Sequence, residues 1–361
     1  VDMAYAMEQI KEVAASGEGS PNLFVYYDGN SPAIPTLYCD FSEPDKPRYV
    51  RSFRVPNKLY GAPKKENENA AHPRSILNFV DWCVNTVEVQ NNGEISFGRR
   101  AQKYALIFSG HSLGFQDIGL FKDETAGKAM KMFEFYGALQ RMVATQDQLT
   151  ELADQMNWVG DVRDVETTVM LGQKLDILGF DSCVMGMLEV GYQFNSVAKT
   201  MIASEGSVPS AGWTYAKILG CLAQDQHRKV GTRDVAELFV KQFIRSQDAY
   251  TVGGVSVDMA AWDLDRFGEL AGAFDCLSES LLECFKDKKS RIYRQMERVI
   301  LQVHWKCQSY MYDQNVDLGD FCVLLDRECG LVAEELGGVK VELLERVQED
   351  CRKILRELKK A

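Results

Sequence analysis

Residues 175–194 read LDILGFDSCVMGMLEVGYQF, and this stretch decides the fold class. Its first part, Leu175–Phe180, is apolar, Asp181-Ser182-Cys183 follows directly, and a segment rich in Met, Leu and Val comes next. An apolar run that leads into a helical pattern is typical of a buried parallel strand followed by a turn and a helix. Ligands of open α/β sheets bind at the carboxyl ends of such strands. Cys183 is therefore predicted to lie where chemistry is done.

A second apolar run, YALIFSGHSLG at residues 104–114, brings His111 to the same kind of position. The other histidines lie elsewhere: His72 precedes a proline, His227 is in a charged run and His304 is in a helical pattern. A thiol and an imidazole at two strand ends are the groups of a nucleophile and its general base.

Both residues also have a structural interpretation. Cys183 fits a buried structural cysteine, and His111 fits a hydrogen-bonded turn residue. The helix expected directly after Cys183 favours the reactive interpretation, because its N-terminus would stabilise a thiolate.

Composition restricts the class of protein. With 361 residues, of which 46% are apolar, the chain can bury a large core in one large α/β domain or two modest ones. A net charge of −11 argues against a nucleic-acid surface and would attract cationic substrates. No apolar run reaches the roughly 20 residues that span a bilayer, so no membrane segment is predicted. No glycine-rich phosphate-binding motif follows a strand, which argues against a nucleotide-binding protein.

The ten cysteines include no C-x-x-C pair and indicate a reducing compartment. The N-terminus has no signal-peptide pattern, so we expect a cytoplasmic rather than a secreted protein. The alternative that a targeting segment was removed before Val1 stays open.

Strand and helix patterns alternate along the chain, which predicts an α/β fold with a mostly parallel central sheet and helices on both faces. We expect a core of residues 1–264 that carries Cys183 and His111, and a mostly helical region, residues 265–361, packed on it. The predicted strands are Asn22–Tyr27 as the first core strand, edge strands in TLYCDF (36–41) and YVRSFRV (49–55), buried strands in 104–108 and 175–180, and further strands in 199–205 and 254–264.

These motifs resemble the clostripain family of cysteine peptidases, relatives of caspases, gingipains and legumains. The histidine piece is YALIFSGHSLG, and the cysteine piece, LDILGFDSCVMGMLEV, fits an Asp-x-Cys pattern. The order continues with MIASEGSVPSAGWTYAKIL at 201–219 and with SVDMAAWDLDRFGELA and NVDLGDFCVLL, so the resemblance covers about Leu23 to Leu325. It implies a caspase-like fold with a largely helical C-terminal extension.

The resemblance also implies residue roles. Cys183 would be the nucleophile, His111 the general base and later acid, and the backbone N–H groups of Ser112 and Cys183 the oxyanion hole. Ser112 departs from the glycine that the family has after its histidine, which restricts the backbone there. A pocket for Arg or Lys would contain Asp181 and Glu205. A helix cap is the alternative for Asp181, and a solvated loop residue is the alternative for Glu205.

The predicted function is a cysteine endopeptidase that cleaves after Arg or Lys through an acyl-enzyme. The resemblance also implies self-cleavage between the histidine and cysteine strands, and the loop-like sequence before Lys128 and Lys131 favours a site near one of them. The alternative is a catalytically silent or partner-activated caspase-like signalling module with a regulatory protein partner. No metal or cofactor is predicted: some family members need calcium, but the acidic residues Asp117, Asp123 and Glu124 lack calcium-loop spacing.

Overall fold

The computed structural model describes residues 3–15, 21–43, 46–55, 65–89, 95–115, 120–153, 169–224, 231–247, 257–310, 312–336 and 341–361. Contacts within the chain divide it into two compact units, residues 1–261 and 262–361. The predicted boundary, after Leu264, lies three residues further along the chain.

The strands are β1 Phe24–Tyr27, β2 Leu37–Asp40, β3 Arg48–Arg51, β4 Val87–Val89, β5 Ile95–Phe97, β6 Ala105–Ser109, β7 Leu120–Asp123, β8 Lys128–Met130, β9 Leu175–Asp181, β10 Ala198–Ala203 and β11 Ala260–Asp263. The helices are α1 Met3–Ala14, α2 Pro73–Asn85, α3 Met132–Val143, α4 Gln146–Ala153, α5 Leu188–Phe194, α6 Tyr215–Gln224, α7 Thr232–Gln247, α8 Phe267–Cys284, α9 Arg291–Lys306, α10 Leu318–Leu336 and α11 Val341–Leu358.

A four-stranded sheet has the order β11-β10-β9-β6, and β9 runs parallel to both of its neighbours. Every residue of β9 is buried, which explains why its sequence is apolar apart from Asp176 and Asp181 and does not alternate. The predicted strands for the cysteine, the histidine and residues 199–205 are confirmed.

Helices cover both faces of this sheet. Side chains alternate along each strand, so every strand contributes residues to both faces. On one face, Ile177 and Ile202 belong to a buried cluster that includes residues of α1, α6 and α7. On the other face, the rings of Phe108 and Phe180 pack against Phe135 of α3, with ring centroids 4.7 and 6.1 Å away. The central part of the predicted α/β architecture is therefore present.

The first predicted strand differs from expectation. β1 pairs antiparallel with β2, and β2 with β3, in a three-stranded sheet of their own. Short connections let these strands pair with one another, so in the described residues β1 forms no ladder with β6 or β9. Val25 and Tyr27 still pack against the buried cluster that contains Ile177 and Ile202. β1 therefore contributes to the core as predicted, but not to the parallel sheet.

The second unit is helical, as predicted. α11 packs against α8 and α10, and α10 also packs against α9. The buried residues of α11 recur every three or four positions, at Leu344, Val347, Cys351 and Ile354, which is the spacing of one helix face. Among the described helices, none has an apolar stretch long enough to cross a membrane.

Candidate active site

The ends of β6 and β9 lie side by side because the two strands are parallel neighbours. Ser109 is in register with Asp181, and the Gly110 N–H donates a hydrogen bond to the Asp181 carbonyl at 3.3 Å. His111 and Cys183 each follow two residues after this pair. Since neighbouring strands are about 4.8 Å apart, the structure brings these two predicted residues to the same edge of the sheet.

The thiol of Cys183 contacts the backbone of Val208. The Val208 N–H donates to Sγ at 3.3 Å, and the Val208 carbonyl oxygen lies 3.8 Å from Sγ. His111 is exposed, and no hydrogen bond within the described residues joins its ring to Sγ. Hydrogen bonds between catalytic groups are often long or poorly aligned before substrate binds. Rotation about the Cα–Cβ bond of Cys183 would release the sulfur from Val208.

The turn after Cys183 is strained and firmly held. Val184 has a φ of 58°, a left-handed conformation that costs a β-branched residue roughly 1–3 kcal/mol. Its N–H donates to the Gly206 carbonyl at 2.9 Å, and the Gly186 N–H donates to the Ser204 carbonyl at 2.8 Å. A Cβ at position 186 would lie 2.8 Å from the backbone of residues 204 and 205, so only glycine fits. These contacts hold residues 182–187 in place; we call this segment the nucleophile turn after the role predicted for Cys183.

The helix after Cys183 begins later than predicted. α5 begins at Leu188 with Met187 as its N-cap, whereas the sequence suggested a helix directly after the cysteine. The field of a helix terminus acts mainly within its first turn, so the expected stabilisation of the thiolate by this helix is wrong. The chain instead uses the amides of residues 184 and 186 to bind the 204–206 segment. The backbone donor at Sγ comes from Val208.

Ser112 joins the histidine loop to the nucleophile turn. Its side chain is 2% exposed, and its Oγ donates to the Cys183 carbonyl at 2.5 Å. This carbonyl and the Val184 N–H belong to one peptide group, which is thus held from both sides by Ser112 and Gly206. A glycine at position 112 would lack this bond. The oxyanion roles of the Ser112 and Cys183 amides stay predictions.

Asp181 is fully buried, and its carboxylate accepts three hydrogen bonds. The donors are the Trp213 N–H at 3.1 Å, the Tyr215 hydroxyl at 2.9 Å and the Ser109 hydroxyl at 3.1 Å. Burial raises the pKa of the Asp181 carboxyl, and these donors act in the opposite direction. The carboxylate thereby connects β6, β9 and the start of α6. The predicted role of Asp181 in binding a basic side chain of the substrate stays a prediction.

Glu205 lies beside the nucleophile turn. It is half-buried, and its Cγ would be 3.1 Å from a Cβ at Gly186. Its N–H donates to the carboxylate of Asp258 at 2.6 Å. The position places a carboxylate near Cys183 without burying it as deeply as Asp181. The assignment of Glu205 to a basic pocket stays a prediction.

The backbone of His111 is supported from the other side by β7. The Phe121 N–H donates to the His111 carbonyl at 2.9 Å, and Phe121 has a φ of 48°. The Phe121 ring packs on Phe108, with centroids 5.3 Å apart. Gly114, with a φ of 71°, closes the histidine loop where a Cβ would lie 2.8 Å from the Val184 carbonyl. Glycine at this position lets the histidine loop approach the nucleophile turn closely.

The described residues contain no group of three or more His, Cys, Asp or Glu side chains that could hold a metal ion. The carboxylate of Asp123 is instead used by the backbone: it accepts the N–H groups of Ala70, Thr125 and Ala126 at 2.8–3.0 Å. Asp117 lies outside the described residues.

Comparison with known proteins agrees with this architecture. The fold is similar to an inactive zymogen C11 protease from Parabacteroides distasonis, with a TM-score of 0.51, 16% identity, and coverage of 97% of this chain and 77% of that one. It is also similar to a secreted C11 cysteine protease of Bacteroides thetaiotaomicron, iotapain, with a TM-score of 0.52, 14% identity, and coverage of 92% and 80%. These likenesses define the class, an α/β protein with a caspase-like fold, and confirm the predicted fold class.

The profile of the clostripain family, Peptidase_C11, matches residues 3–330, so the chain belongs to this family. It is 25% identical over 232 residues to clostripain of Hathewaya histolytica. That match covers 59% of this chain and 38% of the relative, so the chain spans less than half the length of that protein. The family resemblance inferred from the motifs is confirmed.

Sequence reasoning missed several residues around the site, namely Ser109, Val208, Tyr215 and Asp258. Tyr215 lies in the segment MIASEGSVPSAGWTYAKIL (201–219), which supported the family resemblance but indicated no partner for the tyrosine hydroxyl. Val208 acts through its backbone, and Asp258 is far from Cys183 in sequence. The segment GVSVDMAAWDL suggested only a strand, and nothing in its pattern indicated what the aspartate before that strand binds.

Proposed function

We propose that this protein is a cysteine endopeptidase that hydrolyses peptide bonds after Arg or Lys through Cys183 and His111. The observation that carries the proposal is the register of β6 and β9, which brings both residues to one sheet edge. Membership of the clostripain family supports the reaction class. The substrate is a peptide or protein with a basic residue before the cleaved bond.

The reaction follows from the chemistry of the two groups. His111 takes the thiol proton, and the Cys183 sulfur attacks the carbonyl carbon of the substrate to form a tetrahedral oxyanion. The N–H groups of Ser112 and Cys183 donate to that oxyanion. When the C–N bond breaks, His111 gives its proton to the leaving amine, which leaves a thioester. Water, deprotonated by His111, then hydrolyses the thioester and restores the thiol.

Preference for a basic side chain is assigned to Asp181 and Glu205. Asp181 is fully buried and accepts three hydrogen bonds, so its role would be to contribute negative charge, and the half-buried Glu205 would contact the incoming guanidinium or ammonium. The net charge of −11 favours the approach of cationic substrates.

Hydrolysis of Arg-, Lys- and Leu-aminomethylcoumarin peptides tests the proposal. We expect turnover of the two basic substrates, and a loss of kcat/KM of about 10³-fold or more in Cys183→Ala and in His111→Ala. Glu205→Gln is expected to lower kcat/KM for the basic substrates about tenfold and to leave alkylation of Cys183 by iodoacetamide unchanged. Equal turnover of the Leu substrate would contradict the specificity. Full activity of either dyad variant would contradict the mechanism.

No metal or cofactor enters these steps, since the thiol and the imidazole complete the proton balance. Activity measured with a chelator and with added calcium tests this part. We expect equal rates; a requirement for calcium would overturn it.

Self-cleavage between the two catalytic strands belongs to the proposal, with Lys128 or Lys131 as the site. Lys128 lies in β8, paired with Asp123, and the Lys131 N–H at the start of α3 donates to Glu134 at 2.9 Å. Cleavage here therefore requires local opening of regular structure. Intact mass should show two fragments for the wild type and one chain for Cys183→Ala and for the Lys128→Ala/Lys131→Ala double variant. Identical single chains from wild type and Cys183→Ala would contradict it.

A second function, a silent or partner-activated caspase-like signalling module, is supported by one observation. The Cys183 sulfur contacts Val208, and no hydrogen bond in the described residues connects it to His111. Labelling by a basic acyloxymethyl ketone discriminates the two functions. An unlabelled Cys183 together with absent turnover, with and without calcium, would favour the module and a regulatory protein partner.

A further inference from the structure

Asp258 holds the loop that faces the nucleophile turn. It lies two residues before β11, and its carboxylate accepts bonds from three consecutive residues. The donors are the Ser204 hydroxyl at 2.9 Å, the Glu205 N–H at 2.6 Å and the Gly206 N–H at 2.9 Å. A carboxylate with several such donors fixes a short backbone segment more rigidly than a single bond does.

The same loop contacts the turn that carries Cys183. The carbonyls of Ser204 and Gly206 accept the N–H groups of Gly186 and Val184. Two residues further along the chain, the Val208 N–H donates to the Cys183 sulfur. One side of the loop therefore binds Asp258, and its other side binds the turn and the thiol.

The turn depends on such support because of its conformation. Val184 has a φ of 58°, and a strained backbone of this kind persists only where its surroundings fix it. Ser112 holds the Cys183 carbonyl from the histidine side, and Gly206 holds the Val184 N–H from the other side. The position of Gly206 is set by Asp258.

We propose that Asp258 is a positioning residue for the Cys183 nucleophile, which acts through residues 204–208 and touches neither the thiol nor the substrate. The inference rests on the proposed peptidase function. It assigns a role to an aspartate 75 positions after the cysteine (258 − 183). Its loss should misplace Cys183 while the fold stays intact.

A positioning role and a charge role predict opposite results. A negative charge near the sulfur disfavours the thiolate, so a pure charge role would make Asp258→Asn react faster with iodoacetamide and leave Asp258→Glu unchanged. A positioning role predicts slower reaction in both variants, because Asn cannot accept all three bonds and Glu moves the carboxylate by one methylene. Asp258→Glu should retain more reactivity than Asp258→Asn.

The experiment measures alkylation of Cys183 by iodoacetamide with peptide-resolved mass spectrometry, and kcat and KM on an Arg-aminomethylcoumarin peptide. For Asp258→Asn we expect about five- to tenfold slower alkylation and a fall in kcat of about tenfold or more. Ser204→Ala, which removes one of the three bonds, should show about a two- to threefold effect. It also keeps the test decisive should Asp258→Asn fail to fold.

Asp176→Asn is the matched control, because Asp176 is also a buried aspartate with three donors but lies at the opposite end of β9. It should change neither alkylation nor kcat. A folded Asp258→Asn with alkylation and kcat equal to wild type would overturn the inference, as would a loss of thermal stability with unchanged kcat. Alkylation needs no turnover, so an absence of peptidase activity in the wild type would contradict the proposed function and leave the positioning role measurable.

Discussion

The two ends of β9 carry aspartates that are both buried but have different hydrogen-bond partners. Asp176, at the start of the strand, accepts the Tyr104 N–H at 3.0 Å, the Lys199 ammonium at 3.0 Å and the Thr232 hydroxyl at 3.4 Å. Asp181, at the end of the strand, receives donors from Trp213, Tyr215 and Ser109, all of them uncharged. A lysine compensates the first carboxylate, whereas the second is held by neutral dipoles.

This difference supports the proposal that the active site lies at the end of β9 that carries Cys183. At the start of β9 the charge is neutralised and the backbone is ordinary. At its end, burial raises the pKa of Asp181, and Val184 adopts a left-handed conformation. The side chains of Ser109, Ser112 and Tyr215 make hydrogen bonds to Asp181 or to the Cys183 carbonyl. Strained backbone and perturbed carboxyl groups concentrate at functional sites, and ligands of parallel sheets bind at this edge.

The largest expected difference between the two ends comes from removing each carboxylate. Asp181→Ala leaves three buried donors without a partner, so we expect it to lower the free energy of unfolding by about 3 kcal/mol or more and to abolish turnover. Asp176→Ala should cost about 1–2 kcal/mol, because Lys199 is half-exposed and rehydrates, and its kcat/KM should match the wild type. Denaturant unfolding and peptide hydrolysis measure both. Equal loss of activity in the two variants would remove the distinction between the ends.

The pH dependence of stability sharpens the comparison. Because burial raises the pKa of Asp181 above its ordinary value of 3.8, the native state keeps this proton at pH values where the unfolded chain releases it. The contribution of Asp181 is thus fully present below pH 3.8 and is lost as the pH rises through the raised pKa. Unfolding measured from acid to neutral pH should show the wild type losing stability relative to Asp181→Asn. A difference between the two proteins that stays constant with pH would contradict this.

The smallest effect is expected at the hydrogen bond from Ser112 to the Cys183 carbonyl. Ser112→Ala removes the bond to the Cys183 carbonyl and should cost about 1 kcal/mol of stability and lower kcat severalfold with KM unchanged. Ser112→Gly should lose more stability, because glycine also frees the backbone. Ser109→Ala, which loses a bond to Asp181 rather than to Cys183, is the control: it should lower stability with kcat nearly unchanged. Identical kcat in Ser112→Ala and wild type would show that this bond does not position the nucleophile.

The sequence was sufficient to predict the strands that end near the site. The apolar run of β9, interrupted only by Asp176 before it ends at Asp181, reflects burial on both faces, and this local pattern identified the position of Cys183. The shorter run of β6 did the same for His111. The helical second unit followed from apolar spacing alone. The order of the motifs along the chain predicted the clostripain family, which is confirmed, and with it a caspase-like fold.

Other features depend on contacts between distant segments and could not be predicted. Val208 lies 25 residues from Cys183 and binds it through a backbone amide, which no side-chain pattern encodes. The late start of α5 follows from hydrogen bonds of the nucleophile turn to residues 204–206. β1 was read correctly as a strand, but its partner was set by the nearby β2.

Mapping a covalent adduct tests the central claim most directly. A basic acyloxymethyl ketone is incubated with wild type, His111→Ala and Asp176→Asn, and the adduct is assigned by intact mass and peptide mass spectrometry. We predict one adduct per wild-type chain, on Cys183, with equal labelling of Asp176→Asn and about 100-fold slower labelling of His111→Ala. An adduct on another cysteine, or labelling of Cys183 that is independent of His111, would contradict the assignment of these two strand ends as the active site.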